Sequence, residues 1–277
     1  MNTRVISDSS CDMKNGERKN LYIVPLTIST DTEKWIDNGK TNIETMLSTL
    51  EKHKGRSYTA CPDVNSWLEA FEGAETLYII TMTSGLSGTY NSAQAAAKIY
   101  KENHPNAKIM ILDTLSTSSH QRLVVDYVCD LIEKGAEFEE IENLTKEYIS
   151  KTRLVYVLKS LRNFAQNGRI NKAIAAAIGV LGISILAGVT DEGTVKPLAK
   201  CRGNRKVIAE FLKQMKEANC SGNKFYISHV DNISLANELK AAILETYPNA
   251  EVDIRPAKAL CSYYAERGGL LLGFETE

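Results

Sequence analysis

The chain has 277 residues, with 33 Lys and Arg against 34 Asp and Glu, so its net charge is −1; 43% of it is hydrophobic and 24% charged. This is the composition of a globular protein with apolar material for one large or two medium cores. The charge balance, without any long run of Lys and Arg, argues against a nucleic-acid surface or a polybasic membrane patch.

The opening, MNTRVISDSS, runs directly into a strand pattern and has no apolar leader. The cysteines Cys11, Cys61, Cys129, Cys201, Cys220 and Cys261 form no CxxC pair and no zinc spacing. A reduced, cytoplasmic thiol set is therefore expected, with no metal and no cofactor.

TRVISDS reads as a first strand ending in Asp8-Ser9-Ser10. LYIVPLTIS is a second extended run, in which Pro25 favours an edge or irregular strand. NIETMLSTLEKH has helical spacing at Ile43, Met46, Leu47 and Leu50. VNSWLEAFEG is a short helix stopped by Gly73. TLYIITMT is a buried strand that runs into the polar corner Thr83–Thr89, and a helix follows to about Lys101. AKIMILDT is another buried strand, and HQRLVVDYVCDLIEKG an amphipathic helix closed by Gly135. FEEIENLTKEYISKT gives one more helix.

LVYVLKSLRNFAQNGRINKAIAAA mixes a strand, a helix and a loop at Asn167-Gly168-Arg169. Ala173 to Thr190 carries no charge, but it is too short and too glycine-rich for a spanning helix. It reads as a buried Ala-rich helix and then the strand ISILAGV. A hairpin turning at Asp191-Glu192-Gly193 follows, then the helix NRKVIAEFLKQMKEA, the strand KFYISHV, the helix SLANELKAAILETY, the strand AEVDIRPAKAL and a last strand GGLLLGFE.

Alternating strands and helices predict a parallel sheet with right-handed crossovers. The expected fold is α/β: an N-terminal parallel-sheet, Rossmann-like domain with helices on both faces (residues 1–152), and a C-terminal α+β domain with a mixed sheet (residues 153–277). In such sheets ligands bind beyond the carboxyl ends of strands. Three polar corners fall there, at Asp8-Ser9-Ser10, Thr83 to Thr89 and Asp113 to Ser119.

The middle corner, TSGLSGTYNSA, has an inventory that fits a small carboxylate or phosphate. A helix N-terminus offers unpaired N–H groups and partial positive charge. Gly85 and Gly88 would let a ligand approach the backbone, and Thr83, Ser84, Ser87, Thr89 and Ser92 supply hydroxyls. Ser87 would equally serve as a helix cap. The sequence lacks the Walker Gly-Lys-Ser/Thr ending, GxGxxG and GxSxG. A serine hydrolase using Ser87 would need His120, the one histidine at a strand-end corner. Asp8 is a candidate phospho-acceptor, or simply the residue that fixes its own turn. Three classes stay open: a lipid carrier, a hydrolase or phosphotransfer enzyme, and a binder of another small anion. Trp67 and His229 read as packing residues.

VISDSSCDM, VPLTI, YTACPDV, SGLSGTYNSA, LDTLSTSS, NGRI, DEG and CRGNRK, in that order, resemble the DegV family of bacterial fatty-acid-binding proteins over nearly the whole chain. The resemblance implies a long-chain fatty acid buried between two domains. Its carboxylate would be held by Thr59 and the Ser84-Gly85 corner, with Ser87, Thr89 and Ser92 nearby and Arg169 at the mouth. It also implies presentation of the acid to a fatty acid kinase for phospholipid synthesis, with Arg202 at the partner contact. No enzymatic activity of its own is expected. This sequence departs from the family pattern at Tyr264, which stands for a histidine, and at Glu266 and Arg267. It departs also at His120 and Arg122, which stand for small residues, and at Ser184-Ile185. These departures are expected to cluster at the headgroup, which places His120 and Tyr264 among the candidate ligand contacts.

Overall fold

The computed structural model describes residues 2–170 and 182–277. The N-terminal half runs β1 (Thr3–Asp8), β2 (Leu21–Val24), β3 (Thr27–Ser29), β4 (Lys34–Ile36), α1 (Ile43–Lys52), β5 (Tyr58–Ala60), α2 (Val64–Phe71), β6 (Thr76–Thr81), α3 (Thr89–Asn103), β7 (Lys108–Asp113), α4 (Ser118–Glu133) and α5 (Phe138–Ser150). The rest runs β8 (Thr152–Leu158), α6 (Arg162–Gln166), β9 (Ile183–Val189), β10 (Val195–Arg202), α7 (Asn204–Glu217), β11 (Cys220–His229), α8 (Ile233–Thr246), β12 (Glu251–Pro256), α9 (Ala259–Ala265) and β13 (Leu270–Thr276). The Ala-rich helix expected before β9 lies outside the described residues.

The first sheet is parallel, in the order β2-β1-β6-β7. Its strands are apolar on both faces, as a covered parallel sheet requires. Ile6, Leu77 and Ile79 pack with Trp67 and Phe71 of α2 and with the Ala93, Ala96 and Ala97 stripe of α3. Their neighbours Val5, Tyr78 and Ile80 pack with Val124, Val125 and Val128 of α4 and Ile141 of α5. The chain winds outward from β1 in both directions, so the crevice between the β1 and β6 ends is the topological switch point.

The extended run around Pro25 is two strands, not one. Residues before the proline form β2 at the edge of the first sheet; residues after it form β3, the centre of a small antiparallel sheet β4-β3-β5. Pro25 has no N–H to continue the ladder, and the chain changes sheet there.

The large sheet is mixed, in the order β10-β9-β8-β13-β11-β12, with β11 and β12 parallel and the other pairs antiparallel. Alternation along β8 sorts its two faces. Val155 and Val157 join Phe211 of α7 and Leu239 of α8 in one core. Leu154, Tyr156 and Leu158 face the opposite way, toward Leu26, Met82 and Leu260.

Helix α4 packs on both large sheets. Its Gln121 amide donates to Ser7 Oγ at 3.0 Å and its side-chain oxygen accepts from Ser10 Oγ at 2.6 Å. Ser119 Oγ, in the preceding turn, donates to the Leu271 carbonyl of β13 at 2.8 Å. Gly273 is required by this contact, because a Cβ there would lie 2.7 Å from the His120 nitrogen. Arg122, fully buried on α4, pairs with Asp253 of β12 and lies 3.8 Å from the ring centroid of Tyr226 on β11.

The strand AEVDIRPAKAL ends earlier than its sequence suggests, at Pro256, and the helix α9 follows. Asp37 caps that helix from far away, accepting from the Ala259 and Leu260 N–H groups at 2.9 and 3.1 Å. Trp67 is a fully buried packing residue.

Candidate functional site

A cavity of about 230 Å³ opens between the first sheet's strand ends and the inner face of the second sheet. Its walls are mainly apolar, with Leu26, Met82, Leu154, Leu158, Phe164 and Leu271 among them. Polar groups enter from the corner after β6, from β5 and from α9: Thr59, Thr83, Ser87, Gly88 and Tyr264 all reach the lining, with Arg169 beside them.

Thr59 Oγ1 and Tyr264 Oη are 2.8 Å apart. One hydroxyl donates to the other, so the pair keeps one O–H free to donate to a third group. Burial pushes the Tyr264 phenol above its ordinary value, while the Thr59 bond and the Arg169 charge pull it back. It stays a neutral donor at physiological pH. The Phe164 ring packs on it with centroids 4.7 Å apart. Behind it, Tyr263 Oη meets Ser57 Oγ at 2.7 Å and accepts from Asn167 Nδ2 at 2.8 Å.

Helix α3 begins at Thr89 with Gly88 as its N-cap. Ser87 therefore stands one residue ahead of the cap. Its Oγ accepts from the Thr89 N–H at 3.3 Å and pairs with Thr89 Oγ1 at 2.8 Å. The first N–H groups of a helix have no in-helix acceptors and carry partial positive charge. The cavity thus ends in hydroxyls and a helix N-terminus, an arrangement suited to a carboxylate.

Ser84 and Gly85 do not line this cavity. Ser84 is exposed, and its N–H donates to the Asp113 carboxylate at 3.1 and 3.2 Å. Gly85 lies under the β9–β10 turn, where an added Cβ would come 2.3 Å from the Glu192 carbonyl oxygen. The missing side chain makes room for the hairpin. Of the two Ser-Gly pairs in TSGLSG, the second faces the cavity. Thr89 and Ser92 stand behind it; Ser92 Oγ donates to the Pro62 carbonyl at 2.7 Å.

His120 is also elsewhere. It is buried where α4 meets β8, with Nε2 2.8 Å from Thr152 Oγ1, and burial pushes its pKa down to about 4. The Ser87–His120 pairing that a hydrolase needs is not formed, and among the described residues no histidine lines the cavity. Arg122 is held in the contact with Asp253, so these two departures serve packing between the sheets and not the headgroup. Asp8 is fully buried and accepts from the Ser10 and Met82 N–H groups at 3.0 and 2.6 Å. Burial raises its pKa, and it acts as a clamp joining the ends of β1 and β6. Arg202 is exposed at the end of β10, outside the cavity. Arg169 is exposed at the rim, donating from Nε to the Leu86 carbonyl at 2.7 Å.

Sequence reasoning missed Gly193 and Tyr156 in the lining, whereas Gly88, singled out with Gly85, is there. The period-two pattern of VYV in β8 carried the signal for Tyr156; Gly193 depends on how the hairpin docks and left none.

The open parallel sheet, the switch-point crevice and the apolar cavity with a donor-lined end define a small-molecule-binding α/β protein. A family model described as "Uncharacterised protein, DegV family" matches residues 2–277. A DegV domain-containing protein of Streptococcus gordonii is 37% identical over 281 residues, covering 99% of each chain. This chain belongs to the DegV family. A DegV family protein from Eubacterium eligens, solved loaded with heptadecanoic acid, superposes with a TM-score of 0.97 at 45% identity, covering 99% of this chain and 100% of that one. The Fatty Acid Kinase (Fak) B3 protein of Streptococcus pneumoniae, solved loaded with linoleic acid, superposes with a TM-score of 0.96 at 36% identity over 100% of both chains.

Proposed function

We propose that this protein binds one long-chain fatty acid in the cavity where its two domains, residues 1–152 and 153–277, meet, and presents it to a fatty acid kinase. The protein carries the acid in the cytoplasm and performs no chemistry on it. The carboxylate lies against the Thr59–Tyr264 pair and the Ser87-Gly88 turn at the start of α3. The alkyl chain runs along the inner face of β8 and β13.

The observation that carries this reading is an apolar cavity ended by hydroxyl pairs and a helix N-terminus. Each CH₂ removed from water contributes about 0.8 kcal/mol, so a chain of about sixteen carbons gains roughly 10 kcal/mol before ordering costs. Support comes also from the two relatives with heptadecanoic and linoleic acid bound, and the name of the second supports a kinase partner. Arg202, exposed beyond the cavity, is the proposed kinase contact.

The test is native mass spectrometry of the purified protein, then titration of the delipidated protein with palmitate and oleate. A co-purifying fatty acid and one-to-one uptake are expected. A protein that is empty and stays empty overturns the assignment. Addition of a fatty acid kinase and ATP should then yield acyl phosphate at a rate lowered by Arg202→Glu.

A further inference from the structure

The hydroxyls that line the cavity are not all alike. Thr59 pairs with Tyr264, Ser87 with Thr89, Thr83 with the Gly193 carbonyl and Thr194 with Thr190. Two others have no partner. Ser116 Oγ is buried, with the residue only 4% exposed, and no hydrogen-bond partner reaches it. Tyr156, 6% exposed, projects from the cavity face of β8, and among the described residues its hydroxyl bonds to nothing. Burial alone pushes the Tyr156 phenol up, with no bond or charge acting against it.

These two residues are linked through β13. Tyr156 is the Cα partner of Leu271 on β13. The Leu271 carbonyl accepts from Ser119 Oγ at 2.8 Å, in the segment that Ser116 leads into. All three of Tyr156, Leu271 and Ser116 line the cavity. Tyr156 stands on β8, while Ser116 follows β7 and its carbonyl accepts from the Thr83 N–H at 2.8 Å; the Thr59–Tyr264 pair comes from β5 and α9. Buried polar groups in folded proteins are nearly always satisfied, and one left without a partner calls for a ligand or water. Tyr156 packs in one cluster with Met82, Leu154 and Leu271, which also line the cavity.

We propose that Ser116 and Tyr156 form a second polar station within the cavity, which selects an acyl ligand bearing an oxygen along its chain, a hydroxy or oxo fatty acid. This rests on the acyl-binding function proposed above. A site built to hydrogen-bond a substrate oxygen discriminates against the analogue lacking it, because its own groups are then left unpaired. The carboxylate end fixes which carbon reaches the station, so the preference depends on where the oxygen sits.

The experiment compares octadecanoic acid with monohydroxylated octadecanoic acids whose hydroxyl is near the carboxylate, in mid-chain or near the methyl end. Affinities are measured by competition on the delipidated full-length protein and on the Tyr156→Phe/Ser116→Ala double variant. One positional isomer is expected to bind the wild type about tenfold more tightly than the plain acid, the scale of one well-made buried hydrogen bond. In the double variant that ratio falls to about one. The ratio is taken within each protein, so a general weakening by the substitutions does not disturb it. A wild-type ratio near one for every isomer, as water at the station would give, overturns the inference and leaves the acyl carrier intact. A preference that survives in the double variant overturns it as well. Failure of all the acids to bind overturns both.

Discussion

Thr83 Oγ1 donates to the Gly193 carbonyl at 2.8 Å, and a Cβ built on Gly193 would stand 1.9 Å from Thr83 Oγ1. The corner of the first sheet and the hairpin tip of the second are thus fitted to each other beside the cavity. Gly193 has φ of +75°, which only glycine adopts freely. Gly193→Val is expected to lower stability by about 2–4 kcal/mol and to weaken fatty-acid binding, from steric overlap and backbone strain together. Thermal unfolding and ligand titration of the same variant check both. Native-like stability would mean that the hairpin does not need its seat.

Thr59→Val and Tyr264→Phe each remove one hydroxyl of the pair and are expected to cost about 1–2 kcal/mol of binding, roughly tenfold. The two losses should be less than additive, because either substitution already breaks the shared bond. Ser84→Ala should change affinity less than twofold, since its side chain is exposed and its corner is held through the backbone. Equal losses at Ser84 and Thr59 would move the headgroup to the other Ser-Gly pair.

His120 makes the fold sensitive to acid. Its ordinary pKa of 6.5 falls to about 4 in the fold, because burial disfavours the imidazolium. The unfolded chain therefore binds a proton that the folded chain refuses. The His120 contribution to stability is fully present above pH 6.5 and is lost as pH falls toward 4, by about 3 kcal/mol at most. His120→Gln should flatten that loss in denaturant titrations run across this window.

Asp37 acts in the opposite sense. Burial raises its carboxyl from 3.8 to about 6, although the Leu260 and Ala259 N–H groups pull it back. The folded chain takes up a proton here before the unfolded chain does. Its contribution is fully present below pH 3.8 and is lost as pH rises through 6. Asp37→Asn removes this term, so the variant should lose stability more steeply than the wild type on acidification. The same denaturant titrations decide it, and parallel pH profiles would count against it.

Much of the fold was legible because its elements are locally encoded. The buried runs TLYIITMT and AKIMILDT, and the amphipathic pattern closed by Gly135, agree with β6, β7 and α4. The Asp191-Glu192-Gly193 turn joins β9 and β10 as expected. What escaped depends on contacts between distant residues. Helix α9 has only seven residues and is capped by Asp37, more than two hundred positions away, so Pro256 to Leu260 read as the continuation of a strand. The three-residue strands β4 and β5 exist by pairing with β3. In TSGLSG the two Ser-Gly pairs are alike as local sequence. Asp113 and the hairpin occupy the first, and that choice is made in three dimensions. His120 and Arg122 sit close in sequence to a polar corner, yet α4 turns both toward the second sheet.

Because α4 is bonded to β1 through Gln121 and to β13 through Ser119, the two large sheets share one rigid spacer. Neither sheet can shift against that helix without breaking a buried hydrogen bond, so a change of packing at one wall of the cavity is transmitted to the other.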